Sequence, residues 1–387
     1  MKTYEQVDSY MQEVGLKYIK STNDFLTGLA IRTNKDYTQK IAQELNSRAS
    51  RQNSSNSYFY QIKNEHFDGS IFVSAAFDGG VFRHIGNLIL DNPEIFKGKV
   101  VDFACDCGIV TCFIAKMYPD CHVVGIDINQ LAVDNAIKLA EKLKLNNVEF
   151  ICSDVYDVKF EEKADTLTSF RGLLDVCMKN TSGLPFFGER KWREEQYKNA
   201  FLDYAEVMKA NLNEGGYVLC VERYTAEYGW QGWLEALKEK GINAVTDKCE
   251  LMRASDISSV KEYSVSLLQY NNSKSSPVSV IDDVLSKGFK SSTGYEGYMA
   301  EYALYNDTDG EINFYDVFKN ETDKIIHQFA ISKAKSGKII TYEASANKKK
   351  IKYLNPKKKD VAQKAITDKL DVYNDDKFTV NQYSIRV

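Results

Sequence analysis

Residues 99–127, KVVDFACDCGIVTCFIAKMYPDCHVVGID, constrain the fold of this chain more than any other stretch. Val100-Val101-Asp102-Phe103-Ala104 is an apolar run of the length of a buried strand. A tight turn follows and ends at Gly108, after which Ile109, Phe113 and Met117 face one side of a helix closed by Pro119. A second apolar strand, Val123-Val124-Gly125-Ile126, runs into Asp127. Strand, small-residue turn, helix, strand and an acid about 20 residues past the turn form the arrangement that binds a nucleoside. The turn's amides and the helix N-terminus approach the ligand, and the acid accepts the ribose hydroxyls. The pattern predicts an adenosine-containing ligand.

The turn narrows the choice of ligand. A dinucleotide fingerprint uses three glycines so that backbone can touch a pyrophosphate. Here the corresponding positions are Ala104, Asp106 and Gly108. A carboxylate in the middle of the turn repels a pyrophosphate but is tolerated beside the ammonium and sulfonium groups of S-adenosylmethionine. The residues therefore favour S-adenosylmethionine over NAD or FAD.

This region resembles motif I and its successors in the class I S-adenosylmethionine-dependent methyltransferases. Asp102-Phe103-Ala104-Cys105-Asp106-Cys107-Gly108 stands where that family has an acid, an apolar residue and a glycine-rich turn. Asp127 matches its ribose-binding acid, and Asn147–Asp154 matches its third strand, whose terminal acid faces the adenine amino group. The resemblance runs over about 65–270. It implies a Rossmann-like three-layer α/β core with a mostly parallel seven-stranded sheet. The cofactor set it implies is Asp102, Ala104, Cys105, Gly108, Asp127, Ile128, Ser153, Asp154, Val155 and Ser169.

At 387 residues the chain suggests about two domains. The expected organisation is an N-terminal helical extension over 1–57, the methyltransferase domain over 58–272 and a C-terminal α+β accessory domain over 278–387. Tyr4, Val7, Tyr10, Met11, Val14 and Tyr18 recur at helical spacing, whereas 47–57 is polar and reads as a loop. Phe77–Arg83 reads as a loop over the cofactor, with Arg83 available to its carboxylate. Strand four is expected at Ala164–Phe170 and strand five at Tyr217–Glu222, and the last two strands form a hairpin that adds one antiparallel strand. Past a linker at 271–277, strands are expected at Tyr298–Asn306, Glu311–Lys319, Lys324–Ser332 and Lys338–Ser345, with turns at Asp309-Gly310 and Ser336-Gly337. A helix over Lys359–Leu370 and a strand over Phe378–Ile385 complete the domain.

The net charge of −4 does not advertise nucleic acid, and the lysine runs near 348–359 read as a solvated face, so nucleic acid is an unlikely partner. No run approaches the ~20 apolar residues of a membrane span. The eight cysteines lie between 105 and 249 in core-like positions without a CxxC pair, which fits a reducing compartment and no metal centre. The expectation is a cytoplasmic protein with no membrane partner, with a homo-oligomer left open.

Ligands collect at the carboxyl ends of parallel strands. This nominates Ser169-Phe170-Arg171 and Glu222-Arg223-Tyr224 as acceptor-side walls, with Glu222, Arg171 and Tyr224 the candidate catalytic residues. Glu222 fits a base or a strand-end ion pair, and Tyr224, Tyr228, Trp230 and Trp233 an aromatic wall or a helix's inner face. The implied function is methyl transfer to an oxygen, nitrogen or carbon nucleophile of a small molecule. Two alternatives stand beside it: a methyltransferase whose C-terminal domain docks a protein or RNA, and a non-catalytic interaction module with a degenerate cofactor turn.

Overall fold

The computed structural model describes residues 4–49, 56–181, 184, 190–224, 227–271, 276–288, 299–322, 324–345 and 348–387. The chain divides into two compact units. The first comprises Met1–Ser182, Ala200–Tyr224 and Leu234–Val280; the second comprises Gly183–Asn199, Thr225–Trp233 and Ile281–Val387.

The first unit opens with helices α1 (Glu5–Val14), α2 (Thr22–Arg32), α3 (Lys35–Ala49), α4 (Asn56–Lys63), α5 (Phe67–Phe77) and α6 (Gly79–Asp91). The alternating part follows as β1 (Lys99–Phe103), α7 (Ile109–Met117), β2 (His122–Asp127), α8 (Gln130–Lys142), β3 (Val148–Cys152) and β4 (Ala164–Phe170). It ends with β5 (Leu212–Arg223), β6 (Ile242–Ser255) and β7 (Val260–Tyr270). These strands form one seven-stranded sheet in the order β3-β2-β1-β4-β5-β7-β6. Only β7 runs against its neighbours, as expected of a terminal hairpin.

Helices cover the sheet, so β1 is a continuous apolar run rather than an alternating one: Val100, Val101 and Phe103 are all buried. Asn129 caps α8 by accepting from the Leu131 amide at 3.1 Å. Val7, Tyr10 and Val14 of α1 share one apolar cluster with Val100 of β1 and Phe113 of α7. The Tyr10 hydroxyl donates to the Ile109 carbonyl at 2.7 Å, which fastens α1 to the start of α7.

The second unit holds β8 (Thr308–Lys319), β9 (Lys324–Ala334), β10 (Ile339–Ser345), β11 (Lys348–Leu354) and β12 (Phe378–Arg386). They form an antiparallel sheet in the order β11-β10-β9-β8-β12. Ala300, Ala303 and Leu304 pack with Phe314 and Ile351, while Ala362 and Ile366 of the helix Lys359–Leu370 pack with Val317 and Phe329.

Several expectations are corrected here. The strand foreseen at Tyr298–Asn306 is a helix over Met299–Asp307, because Ala300, Ala303 and Leu304 recur at helical spacing and bury against the sheet. Tyr298 itself lies outside the described residues. The lysine run at 348–354 is a strand, with Lys349 and Ile351 buried and Lys352 exposed. The turn foreseen at Asp309-Gly310 lies inside β8, where the pairing with β9 shifts register and Gly310 takes φ +94°. The loop foreseen over 77–83 is helical instead: Phe77 ends α5, Gly79–Arg83 begin α6, and only Asp78 lies between them. Of the loop at 47–57, residues 50–55 lie outside the described residues, as do 272–275 of the linker. Among the described residues, no helix is long and apolar enough to cross a membrane.

Candidate active site

The strand order reverses between β1 and β4, both of which pair in parallel with their neighbours. Such a switch point opens a crevice at the strands' carboxyl ends, and the turn after β1 enters it. Ala104, Asp106 and Gly108 take φ of +57°, +49° and +74°. The turn thus keeps the left-handed conformation with two non-glycine residues, at a cost of about 1–3 kcal/mol each. Gly108 has no alternative: a Cβ there would lie 2.7 Å from the Ala136 methyl on α8.

The acids at the strand ends are held by short-range donors. Asp127 accepts from the Asp106 amide at 2.8 Å and from the Asn129 amide at 2.9 Å, one bond on each oxygen. Burial and the nearby Asp106 charge push its carboxyl up to about 6. Asp102 accepts from Thr111 at 2.6 Å and Thr168 at 2.8 Å, and burial likewise pushes it up to about 6. Asp154 caps the short 3-10 turn Val155–Asp157 by accepting from the Tyr156 amide at 3.1 Å.

These groups border a cavity of about 730 Å³. Of the expected cofactor set, Asp102, Ala104, Cys105, Asp127, Ile128, Ser153, Asp154 and Val155 line it. Gly108 and Ser169 do not line it; Ser169 is buried and donates to Glu222 at 2.7 Å. Arg171 lines it, at φ +64° and ion-paired with Asp78 from the α5–α6 junction. Burial alone would raise the Asp78 carboxyl, but Arg171 and Lys63 overcome it and hold the group below its ordinary value. Glu222 and Tyr224 are buried away from the lining. Glu222 accepts from Ser169 and, at 3.1 Å, from the Leu173 amide, and burial pushes its carboxyl up to about 8. It ties the ends of β4 and β5 to the helix Leu173–Val176.

The expected aromatic group is split: Tyr224 belongs to the first unit and Tyr228, Trp230 and Trp233 to the second, and all are buried. Arg83 sits on α6 and pairs with Asp8 of α1, so it does not meet the cavity.

The far wall was not foreseen. Leu16 after α1, Tyr60 and Gln61 of α4, and Val81, Phe82 and Ile85 of α6 line the cavity opposite the strand ends. Lys63, fully buried at the end of α4, pairs with Asp106. The only local signal was a single cation ending the apolar run Tyr58-Phe59-Tyr60-Gln61-Ile62.

The strained turn, the paired strand-end acids and the switch-point cavity define a nucleoside-binding methyltransferase domain. The family model described as a methyltransferase domain matches residues 96–272. That match, over somewhat less than half of the chain, is consistent with a class I S-adenosylmethionine-dependent methyltransferase domain that takes S-adenosylmethionine as cofactor.

Among similar proteins, ribosomal RNA small subunit methyltransferase C of Haemophilus influenzae (strain PittEE) is 28% identical over 153 residues, 37% of this chain and 44% of that protein. Probable (S)-tetrahydroprotoberberine N-methyltransferase 2 of Papaver bracteatum is 28% identical over 120 residues, 28% of this chain and 34% of that protein. The chain therefore spans less than half the length of these curated relatives. A solved S-adenosylmethionine-dependent methyltransferase from Aquifex aeolicus aligns with 50% of this chain and 90% of its own, at 15% identity and a TM-score of 0.34. The expectation that nucleic acid is an unlikely partner is corrected by the first relative, itself named as a ribosomal RNA methyltransferase.

The residues present fit the cofactor. The turn reaches its left-handed conformation despite Ala104 and Asp106. The Asp106 carboxylate is neutralised by Lys63 rather than left facing the ligand as a bare charge. Each oxygen of Asp127 keeps acceptor capacity for a hydroxyl.

Proposed function

We propose that this protein transfers a methyl group from S-adenosylmethionine to an oxygen, nitrogen or carbon nucleophile of a small molecule. The observation that supports the small acceptor is the cavity itself. Its volume of about 730 Å³ falls in the range of small-molecule sites, and helices α4 and α6, with Leu16 after α1, wall it opposite the strand ends. In this reading Asp127 accepts the ribose hydroxyls, Asp154 faces the adenine, and Asp102 orders the turn through Thr111 and Thr168. Ala104 admits the backbone closely, and Cys105, Ile128, Ser153 and Val155 complete the contact.

When bound, the cofactor supplies an electrophilic methyl carbon. The chain's part is to hold the acceptor in line with it, and positioning alone can provide most of the rate. Arg171, fixed by Asp78, orients the acceptor. Glu222 acts through Ser169 and the Leu173 amide as a brace for the Arg171 backbone. The functional domain is 58–272, with 278–387 accessory, and the eight free cysteines favour a reducing, cytoplasmic setting. The test is isothermal titration with S-adenosylmethionine and S-adenosylhomocysteine, followed by an acceptor screen with tritiated cofactor. Micromolar binding of both supports the reading; binding of neither sinks it.

An RNA acceptor is the second reading, favoured by the lysines around β11. Lys352, Lys357, Lys358 and Lys359 are exposed in the second unit, and the next acid is Asp360. If they contact phosphates, affinity for a fluorescent RNA will fall steeply between about 50 and 200 mM salt. It will also fall when these lysines are changed to alanine. Salt-insensitive or absent binding removes this reading.

A further inference from the structure

The turn after β1 carries a carboxylate where close backbone approach to a ligand calls for glycine, and α4 carries the only group that neutralises it among the described residues. Lys63 is 2% exposed and its ammonium meets Asp106 Oδ2; the Asn64 amide donates to Asp106 Oδ1 at 3.0 Å. Burial would strip the proton from Lys63, but the Asp106 charge more than offsets that and holds it protonated.

The end of α4 is fastened from three other directions. The Tyr37 hydroxyl of α3 donates to the Lys63 carbonyl at 2.7 Å. Asn135 of α8 donates to the Asn64 carbonyl at 2.9 Å, and Asn129 donates to the Tyr60 carbonyl at 3.1 Å. The last carbonyls of a helix lack intrahelical donors, so Tyr37 and Asn135 cap the end of α4, while Asn129 adds a second donor to the Tyr60 carbonyl, which also accepts from the Asn64 backbone N–H at 3.2 Å. Asn129 also lends its amide to Asp127. One network therefore links the turn, the acid after β2 and the helix that brings Tyr60 and Gln61 to the cavity.

We infer that Lys63 is a positioning residue for the cofactor: with Asp106 it locks the turn and α4 together, doing by an ion pair what a second glycine does by absence of a side chain. This rests on the cofactor reading above. Lys63 need not touch the ligand. Its role is to keep the Asp106 carboxylate turned onto α4 and to hold the Tyr60 wall at the distance the ligand requires.

The test is titration of S-adenosylhomocysteine and S-adenosylmethionine into wild type, Lys63→Met, Asp106→Gly and the double variant. K63M is expected to lose at least tenfold in affinity for S-adenosylhomocysteine. The loss should be smaller for S-adenosylmethionine, whose sulfonium is attracted by the carboxylate now left uncompensated. D106G removes that carboxylate, so the double variant should bind within threefold of D106G alone.

K63M binding like wild type, or a double variant no better than K63M, would overturn the proposal. If K63M does not fold, the comparison of D106G with the double variant carries the test, since neither keeps the Asp106 carboxylate and the double variant also removes the Lys63 ammonium that D106G leaves without it. Equal affinities support the proposal, and a tenfold weaker double variant overturns it. Wild-type protein that binds neither ligand removes the cofactor reading and the proposal together, an outcome distinct from binding that is indifferent to Lys63.

Discussion

Two buried clusters of opposite charge, one in each unit, make an instructive pair. In the first unit Lys63 is 2% exposed, but its partner Asp106 is 28% exposed and lines the cavity. In the second, Glu301 on the helix Met299–Asp307 is ion-paired with both Arg193 and Lys349, and all three side chains are 2% exposed or less. The Tyr228 ring lies 4.3 Å from the Arg193 guanidinium and 5.3 Å from the Lys349 ammonium. The chemistry is the same, a cation on a carboxylate in low dielectric. The first cluster has one member open to a ligand and can be read out by binding. The second is sealed and can be read out only as folding.

The comparison breaks most violently at Glu301. Glu301→Gln removes the carboxylate that two buried cations share, and removing one partner of a buried pair costs about 3–5 kcal/mol. Urea denaturation should show that loss, while affinity for S-adenosylhomocysteine changes less than threefold. A large change in affinity with little change in stability would invert the assignment.

Asp127→Ala should act the other way. It removes a charged acceptor worth about 1.5–3 kcal/mol, so cofactor affinity falls tenfold or more, and calorimetry that finds unchanged affinity would contradict the site.

A smaller effect follows from the Asp127 carboxyl near 6. Its folded value lies above the unfolded one, so its stabilising contribution is full below about pH 4 and is lost as pH rises through 6. Ribose hydroxyls favour the ionised form, so affinity should rise over the same window, roughly tenfold from pH 5 to 7. Melting temperature of the ligand-free protein and cofactor affinity measured across that range should therefore move in opposite directions.

A further pH effect, on stability alone, is expected at Glu222, pushed up to about 8. Its contribution is lost as pH rises through 8. Glu222→Gln should melt close to wild type at pH 4 and above it at pH 9. Equal melting temperatures at both values would mean that the group ionises without cost.

How much of this was legible follows from the range of each interaction. The turn, the acid after β2 and the Asn129 cap are local, carried by apolar runs and single residues a few positions apart. Lys63 and Asp106 are 43 residues apart, and nothing at either position advertises the other. The same holds for the apolar wall of α6, whose Val81, Phe82 and Ile85 look like ordinary core until the cavity is seen behind them. In the second unit, Tyr298–Asn306 is rich in tyrosine and was read as strand, but tertiary burial of Ala300, Ala303 and Leu304 decided for helix. Within the lysine run Lys349 is buried, and it is ion-paired with the distant Glu301.

The discontinuous make-up of the second unit has a consequence for how the protein is made. Arg193 leaves the ribosome 108 residues before Glu301. At ordinary elongation rates of roughly 5–20 residues per second, that is a wait of about 5–20 s with a cation destined for the interior still in water. The segments 190–199 and 227–233 cannot settle when they emerge, because the sheet that completes their unit is encoded last. Synthesis therefore delivers a first unit that can begin to fold early, while two segments of the second await partners encoded later. A ribosome-stalled chain ending before 299 should be digested by protease within 190–199 and 227–233 while the sheet of the first unit stays intact.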